Sequence, residues 1–290
     1  MPKIQYEEIN MRAKKRELIE QVNIVIADYQ EQGYSLTLRQ IYYQLVSRNF
    51  IENSEKSYKN IGNLISNGRL AGLIDWDAIE DRTRIHRVLN HFESPADILD
   101  TAAQSYRRDL WEGQPCHVEV WVEKDALIGI VEQAAQSMDC PCFSCRGFAS
   151  QSSMWASARR FIEKAKQGRE CILIYLGDHD PSGIAMTSDI AERMELFCAA
   201  VDVRRVALTM EQVAQYSPPP NPAKETDTRF AGYAKLYGAH SWELDALKPE
   251  ILHGLITDSI KMNLDQEMYD AVFEQQEAER QQIKALQGYL

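Results

Sequence analysis

Two short apolar runs, residues 118–122 and 171–176, each lead into carboxylates. The first is followed by Glu123, the second by Gly177 and then Asp178 and Asp180. Both runs are rich in β-branched and aromatic residues, which reads as strands covered on both faces of a parallel sheet. The rhythm around them agrees. Strands are expected over 117–122, 140–145, 171–176 and 201–207, with helices over 125–137, 152–167 and 183–198 between them. Four strands separated by helices of that length imply a parallel α/β sheet with right-handed crossovers. Carboxylates just past the C-terminal ends of such strands fall in the crevice where open sheets of this kind place their sites. Glu123, Asp178 and Asp180 together form an all-oxygen set suited to Mg²⁺.

The remainder of the 290 residues is enough for a second unit. An amphipathic helix is expected over 8–32, ended by Gly33. Ser35, Leu36 and Thr37 offer an N-cap for a helix over 38–49, and a third helix runs over 57–71. Residues 72–76 read as a turn into a short strand. Three helices and a β segment make a winged-helix pattern, a variant of helix-turn-helix. Lys56, Lys59, Arg69, Arg82, Arg84 and Arg87 surround it with positive charge, and Lys59 and Arg69 are candidate DNA contacts. Net charge is −11, which argues against diffuse binding to nucleic acid. Residues 1–110 carry 15 basic and 16 acidic side chains and the rest 17 and 27, so a DNA-binding face falls in the N-terminal part. A connecting helix is expected over 94–112, a stiff linker over 217–222, and an acidic helical extension ending in a polar helix over 265–288. The division is therefore 1–110 and 111–290. The polar N-terminus reads as helix, not as a signal peptide. No apolar run approaches the ~18 residues that span a bilayer. The expectation is a cytoplasmic or nucleoid-associated protein with reduced cysteines and no membrane partner.

Each candidate residue has a plainer alternative. Asp178 and Asp180 could merely cap the helix that Pro181 opens. Their pairing with Glu123 favours a catalytic role. His179 points to the other side of the strand and is structural or solvent-facing. Lys124 either meets a phosphate or is a solvated lysine at a helix start. Arg146, at the same sheet edge, either binds DNA phosphate or is a surface arginine before a turn glycine. Cys140, Cys142 and Cys145 lack the second ligand pair a structural zinc needs and fall in an expected core strand. On the helix over 38–49, Tyr42 shares the apolar stripe with Leu38, Ile41 and Leu45. Tyr43 points away from it, towards Arg39 and Ser47, as an exposed tyrosine. A tyrosine on a DNA-facing helix can attack a phosphodiester if it is deprotonated or has a cation beside it, for which Arg39 is the candidate.

Glu123 followed by Asp178-x-Asp180 on neighbouring strands resembles the Toprim domain. Further matches are Ile41-Tyr42-Tyr43, Val122-Glu123-Lys124-Asp125-Ala126, Arg146-Gly147-Phe148, Asp178-His179-Asp180-Pro181-x-Gly183 and the segment from Trp242 to Leu247. In this order they resemble the topoisomerase VI A subunit and the related transesterase that makes meiotic double-strand breaks, over about residues 35 to 260. The chain is shorter than the usual A subunit, and the residues after Phe148 depart from the family pattern. The resemblance implies a winged helix joined to a Toprim domain, and a homodimer that cuts double-stranded DNA. Tyr43 would attack the phosphate to give a 5′-phosphotyrosyl link, assisted by Mg²⁺ on Glu123, Asp178 and Asp180. It also implies a separate ATPase subunit for strand passage, since this chain has no nucleotide-binding motif. Two other readings stand beside it. One is a metal-dependent nuclease that activates water. The other is a DNA-binding regulator without catalysis, against which the intact carboxylate triad argues.

Overall fold

Side-chain caps start most of the helices. In the computed structural model, which describes residues 3–80, 89 and 91–286, the first three helices are α1 (Ala13–Gln30), α2 (Leu38–Ser47) and α3 (Glu55–Leu70). Thr37 and Gln40 form a reciprocal capping box at α2, and Ser54 caps α3. Then follow α4 (Pro95–Ser105), β1 (Cys116–Val122), α5 (Ile128–Gln136), β2 (Cys142–Ser144), α6 (Gln151–Lys166), β3 (Glu170–Leu176), α7 (Pro181–Leu196) and β4 (Asp202–Ala207). The chain ends with α8 (Met210–Tyr216), β5 (Asn221–Pro222), α9 (Phe230–Tyr237), β6 (His240–Ser241), α10 (Pro249–Lys261) and α11 (Gln266–Ala285). Among the described residues no helix is long and apolar enough to cross a membrane.

The sheet is parallel, in the order β2-β1-β3-β4. β1 and β3 are central and buried almost throughout, which is why their sequences are continuous apolar runs. β4 lies at an edge and alternates exposed with half-buried residues, as its Asp202 and Arg204 foretell. Val122 pairs with Leu176, so Glu123 and the 177–180 loop emerge side by side at one end of the sheet. One apolar cluster covers the face carrying Val118, Val120, Ile172 and Ile174, and it runs without a break into the core of α1–α3. A second, around Trp121, Phe161, Leu173 and Tyr175, lies under α6 and α7.

The structure departs from expectation where tertiary contacts override local tendency. The helix expected over 125–137 begins with a 3₁₀ turn, Asp125–Leu127, before α5. The connecting helix stops at Ser105, because α11 captures the following backbone. Arg280 donates to the Tyr106 carbonyl, and Gln276 accepts from the Arg108 amide. No strand forms over 72–76. The amides of Leu73 and Ile74 both turn back to the Gly68 carbonyl, and Ile74 packs onto Gly68. The β character near α1–α3 is confined to single bridges, Gln5 with Ala71 and Leu36 with Ile79. Three packed helices are therefore present, but no wing is seen among the described residues. Arg82, Arg84 and Arg87 lie outside them.

Candidate functional site

Four segments meet at the C-terminal end of β1 and β3. They are the residues just after β1, the 177–180 loop, the 241–247 segment and α2. The 241–247 segment is brought in by backbone pairing. His179 and Trp242 exchange both N–H···O bonds, at 2.8 and 3.0 Å. Two residues on, the Leu244 amide donates to Asp178 Oδ1 at 2.8 Å, so Glu243 and Asp245 flank Asp178.

Lys124 stands at the centre. Its Nζ lies 2.5 Å from Asp178 Oδ2 and 2.8 Å from Asp245 Oδ2, and it also contacts Glu243 Oε2. Burial works to discharge this ammonium, but Asp245, Asp178 and Glu243 outweigh it and hold its pKa well above the ordinary lysine value. Burial raises the Asp178 carboxyl, with Lys124 opposing, whereas at Glu243 Lys124 overcomes burial and the pKa falls. Arg39 reaches the same carboxylates from α2, its Nη2 3.4 Å from Glu243 and its Nε 3.6 Å from Asp245. Lys124 is thus neither solvated nor free to meet a phosphate in this arrangement.

The carboxylates that converge differ from the expected set. Asp178, Glu243 and Asp245 each place one oxygen within 4.8 Å of the others. They form an all-oxygen donor set, the kind that holds a hard divalent cation. Asp245 is buried, and its Oδ1 has no hydrogen-bond partner. The residues therefore fit a metal ion. Asp178 belongs to both sets. Glu123 is directed to the backbone, its Oε2 accepting the Asp178 amide at 2.9 Å. Burial, with Asp180 adding to it, raises its pKa against the pull of that amide and of Lys124. Asp180 caps α7, accepting from the Gly183 amide at 2.6 Å and the Ser182 hydroxyl at 3.0 Å.

The loop is packed so tightly that two positions exclude a side chain. A Cβ at Gly177 would lie 2.9 Å from Glu123 Oε2, and one at Gly183 would lie 2.2 Å from the Asp178 carbonyl oxygen. Arg205 fastens the loop from β4. It donates to the carbonyls of Gly177, Asp178, Gly183 and Leu208 and to the Thr187 hydroxyl, at 2.5–3.2 Å. His179 is buried, not solvent-facing. Its Nδ1 lies 2.9 Å from the Tyr233 hydroxyl, and burial with Arg205 lowers its pKa to about 4.

Tyr42 is in the core, its hydroxyl bonded to Asn53 and to the Ser54 backbone. Tyr43 is only 9% exposed, where an exposed tyrosine was expected. The cause is the docking of α2 onto the 3₁₀ turn Leu244–Ala246. The Tyr43 ring lies 5.5 Å from the Arg39 guanidinium and 5.9 Å from Lys124 Nζ. Burial and Glu243 raise its pKa, while Arg39 and Lys124 pull it back. A cleft of about 230 Å³, lined by Arg39, Tyr42, Tyr43, Asn53, Ser54, Glu55 and Tyr58, opens beside it.

The three candidate phosphate contacts stand apart from this cluster. Arg146, in left-handed backbone (φ 54°) with its side chain 75% exposed, pairs with Asp125 at 3.2 Å. Lys59 is exposed and paired with Glu55 at 2.7 Å, one turn earlier. Arg69 donates to the Trp76 and Ile79 carbonyls at 2.7 and 2.5 Å, which ties α3 to the chain after it. All six cysteines are free thiols, with Cys140 buried and donating to the Val118 carbonyl.

Sequence reasoning missed Glu243, Asp245 and Arg205. Glu243 and Asp245 carried a signal, since they lie in the segment from Trp242 to Leu247. Arg205 offered only an arginine placed in an expected strand. No protein-family model matches the chain, and no curated protein matches it.

Proposed function

We propose that this chain is a metal-dependent DNA transesterase that resembles the topoisomerase VI A subunit, with α1–α3 in the place of its winged helix and the parallel sheet in the place of its Toprim domain. The observation that carries the reading is convergence. Tyr43, Glu123, Asp178 and the Glu243–Asp245 pair come from four distant stretches of sequence, and they meet at one end of the sheet around Lys124. A structural ion pair would not need a phenol there. Double-stranded DNA is the substrate, with Lys59 and Arg146 as contacts to its phosphates.

The chemistry is a phosphoryl transfer. The Tyr43 Oη attacks phosphorus and forms a P–O bond. The bond to the 3′ oxygen breaks, and that oxygen leaves as a hydroxyl, taking up the proton the phenol gave away. Arg39, against the Tyr43 ring, favours the phenolate. The carboxylates Asp178, Glu243 and Asp245, with Glu123 and Asp180 beside them, would hold Mg²⁺, which supplies positive charge for the phosphate and the leaving oxygen. A second copy of the chain would cut the second strand, and strand passage would need an ATPase partner.

The burial of Tyr43 favours a second reading, in which the carboxylate site activates water and Tyr43 only packs α2 against it. Labelled duplex incubated with protein and Mg²⁺, then denatured and run with and without protease, separates the two. Wild type should give a protease-sensitive covalent adduct, and Tyr43→Phe should give neither adduct nor cut. Cutting by Tyr43→Phe at the wild-type rate, with free phosphate ends, would end the transesterase reading.

A further inference from the structure

The ammonium of Lys124 is placed where a metal ion would bind. An ammonium has three protons to donate and no lone pair. Lys124 meets three carboxylates, one oxygen from each, at 2.5 Å from Asp178, 2.8 Å from Asp245 and in contact with Glu243. Those three residues form the set whose oxygens converge within 4.8 Å. Asp245 is 1% exposed, and its Oδ1 remains without a partner after Lys124 and Arg39 are counted on Oδ2. One lysine and one arginine thus leave a buried acceptor unanswered, in a cluster whose three carboxylates can carry one more negative charge than these two cations supply. A divalent ion brings twice the charge of the ammonium and can take oxygens from every side.

We infer that Lys124 is a resident cation at the Asp178, Glu243 and Asp245 site, and that a divalent metal ion binds there by displacing it. This deepens the proposed function and rests on its reading of the cluster as a metal site. A lysine suits the role, because its charge sits on a flexible four-carbon stem that can swing without moving the backbone. The displacement has a consequence for α2. Arg39, on α2, is held by Glu243 and Asp245, and Lys124 Nζ lies 5.9 Å from the Tyr43 ring centroid. A metal that draws Glu243 and Asp245 to itself weakens the hold on Arg39 and shifts the ammonium beside Tyr43. Metal loading therefore changes the charges that face the Tyr43 ring.

The test is Mn²⁺ binding by calorimetry to the wild-type chain and to Lys124→Met, Asp245→Asn and Asp178→Asn. Lys124→Met should bind roughly tenfold tighter or more, and both aspartate variants should bind at least about tenfold more weakly. Equal or weaker binding by Lys124→Met, with Asp178→Asn still defective, overturns the resident-cation proposal and leaves the metal site standing. Full binding by Asp245→Asn overturns it too, since the metal would then sit elsewhere around Asp178. No Mn²⁺ binding by either wild type or Lys124→Met overturns both the proposal and the metal reading. A measurement on wild type alone guards against misfolding of the variants. Acetylation of Lys124 by an amine-reactive reagent, followed by peptide mass spectrometry, should be several-fold faster with Mn²⁺ than without, and an unchanged or slower rate sinks the proposal.

Discussion

Glu119 and Glu123 stand on and just beyond the same strand, both are buried, and burial pushes both carboxyls up. At Glu119 the push is overcome. His117 lies 3.3 Å away, Trp121 Nε1 donates at 3.0 Å, and Arg160 donates twice, at 3.2 and 3.0 Å. Its pKa falls to about 2. At Glu123 burial wins, because the backbone amide of Asp178 and the charge of Lys124 do not offset it and Asp180 adds to it. The one carboxylate has its charge met by donors from His117, Trp121 and Arg160. The other is left short of donors, which is how a group keeps the capacity to take a cation or a proton.

The largest expected effect tests that division of labour. Under the proposed function, Glu123→Gln and Asp178→Asn should each lower DNA cleavage about a thousandfold or more, by loss of charge where the phosphate would be stabilised. Glu119→Gln should cut at the wild-type rate. Initial rates on a labelled duplex read this, and an inactive but folded Glu119→Gln would erase the distinction between the two ends of the strand.

A smaller effect follows from making Glu119 resemble Glu123. Arg160→Met removes two of its donors and leaves the carboxylate buried. Breaking a buried pair by removing one partner costs about 3–5 kcal/mol. The Arg160 side chain is half exposed, so water recovers part of that, and a loss of about 2 kcal/mol in urea unfolding is expected. A loss of under about 0.5 kcal/mol would mean that His117 and Trp121 hold Glu119 without it.

The smallest effect is in pH dependence. The folded pKa of Glu119, about 2, lies below its ordinary value of 4.5. Its contribution is therefore complete above pH 4.5 and is lost as pH falls towards 2. Glu123 has the opposite sign, since its raised pKa favours the folded state below the ordinary value and that gain is lost as pH rises through the folded value. Unfolding free energies from urea titrations at pH 4.5 and pH 3.5 should fall less steeply in Glu119→Gln than in wild type, by about 1 kcal/mol. Parallel curves would show that Glu119 titrates normally.

Much of the sheet was legible from the chain. The strands expected over 117–122, 171–176 and 201–207 are present within a residue or so, as Cys116–Val122, Glu170–Leu176 and Asp202–Ala207. Their apolar runs and the caps between them are local signals. The short strand expected over 72–76 failed because Gly68 accepts that backbone instead. The end of α4 was missed because its stop is written in α11, at Gln276 and Arg280. At the site, the placement of Glu123 and Asp178 just past strand ends was readable from the apolar runs before them, while the pairing of Val122 with Leu176 that sets those ends side by side belongs to the structure. Lys124 could not be placed, because a lysine at a helix start looks the same whether water or three carboxylates surround it.

What the sequence determined by itself is what short-range physics dictates. Continuous apolar runs, the 3.6-residue period, capping side chains and the glycines at 177 and 183 set the elements, their order and the end of the sheet where carboxylates emerge. The tertiary structure decided which charges meet there. The bridge between His179 and Trp242 carries Glu243 and Asp245 to Asp178 across more than sixty residues of chain. The docking of α2 on the turn that holds them covers Tyr43 and points Arg39 at the same acids. Those encounters depend on how apolar faces far apart in sequence pack together, and no local pattern encodes them, because a carboxylate's partners are chosen by the burial of the segments that carry it.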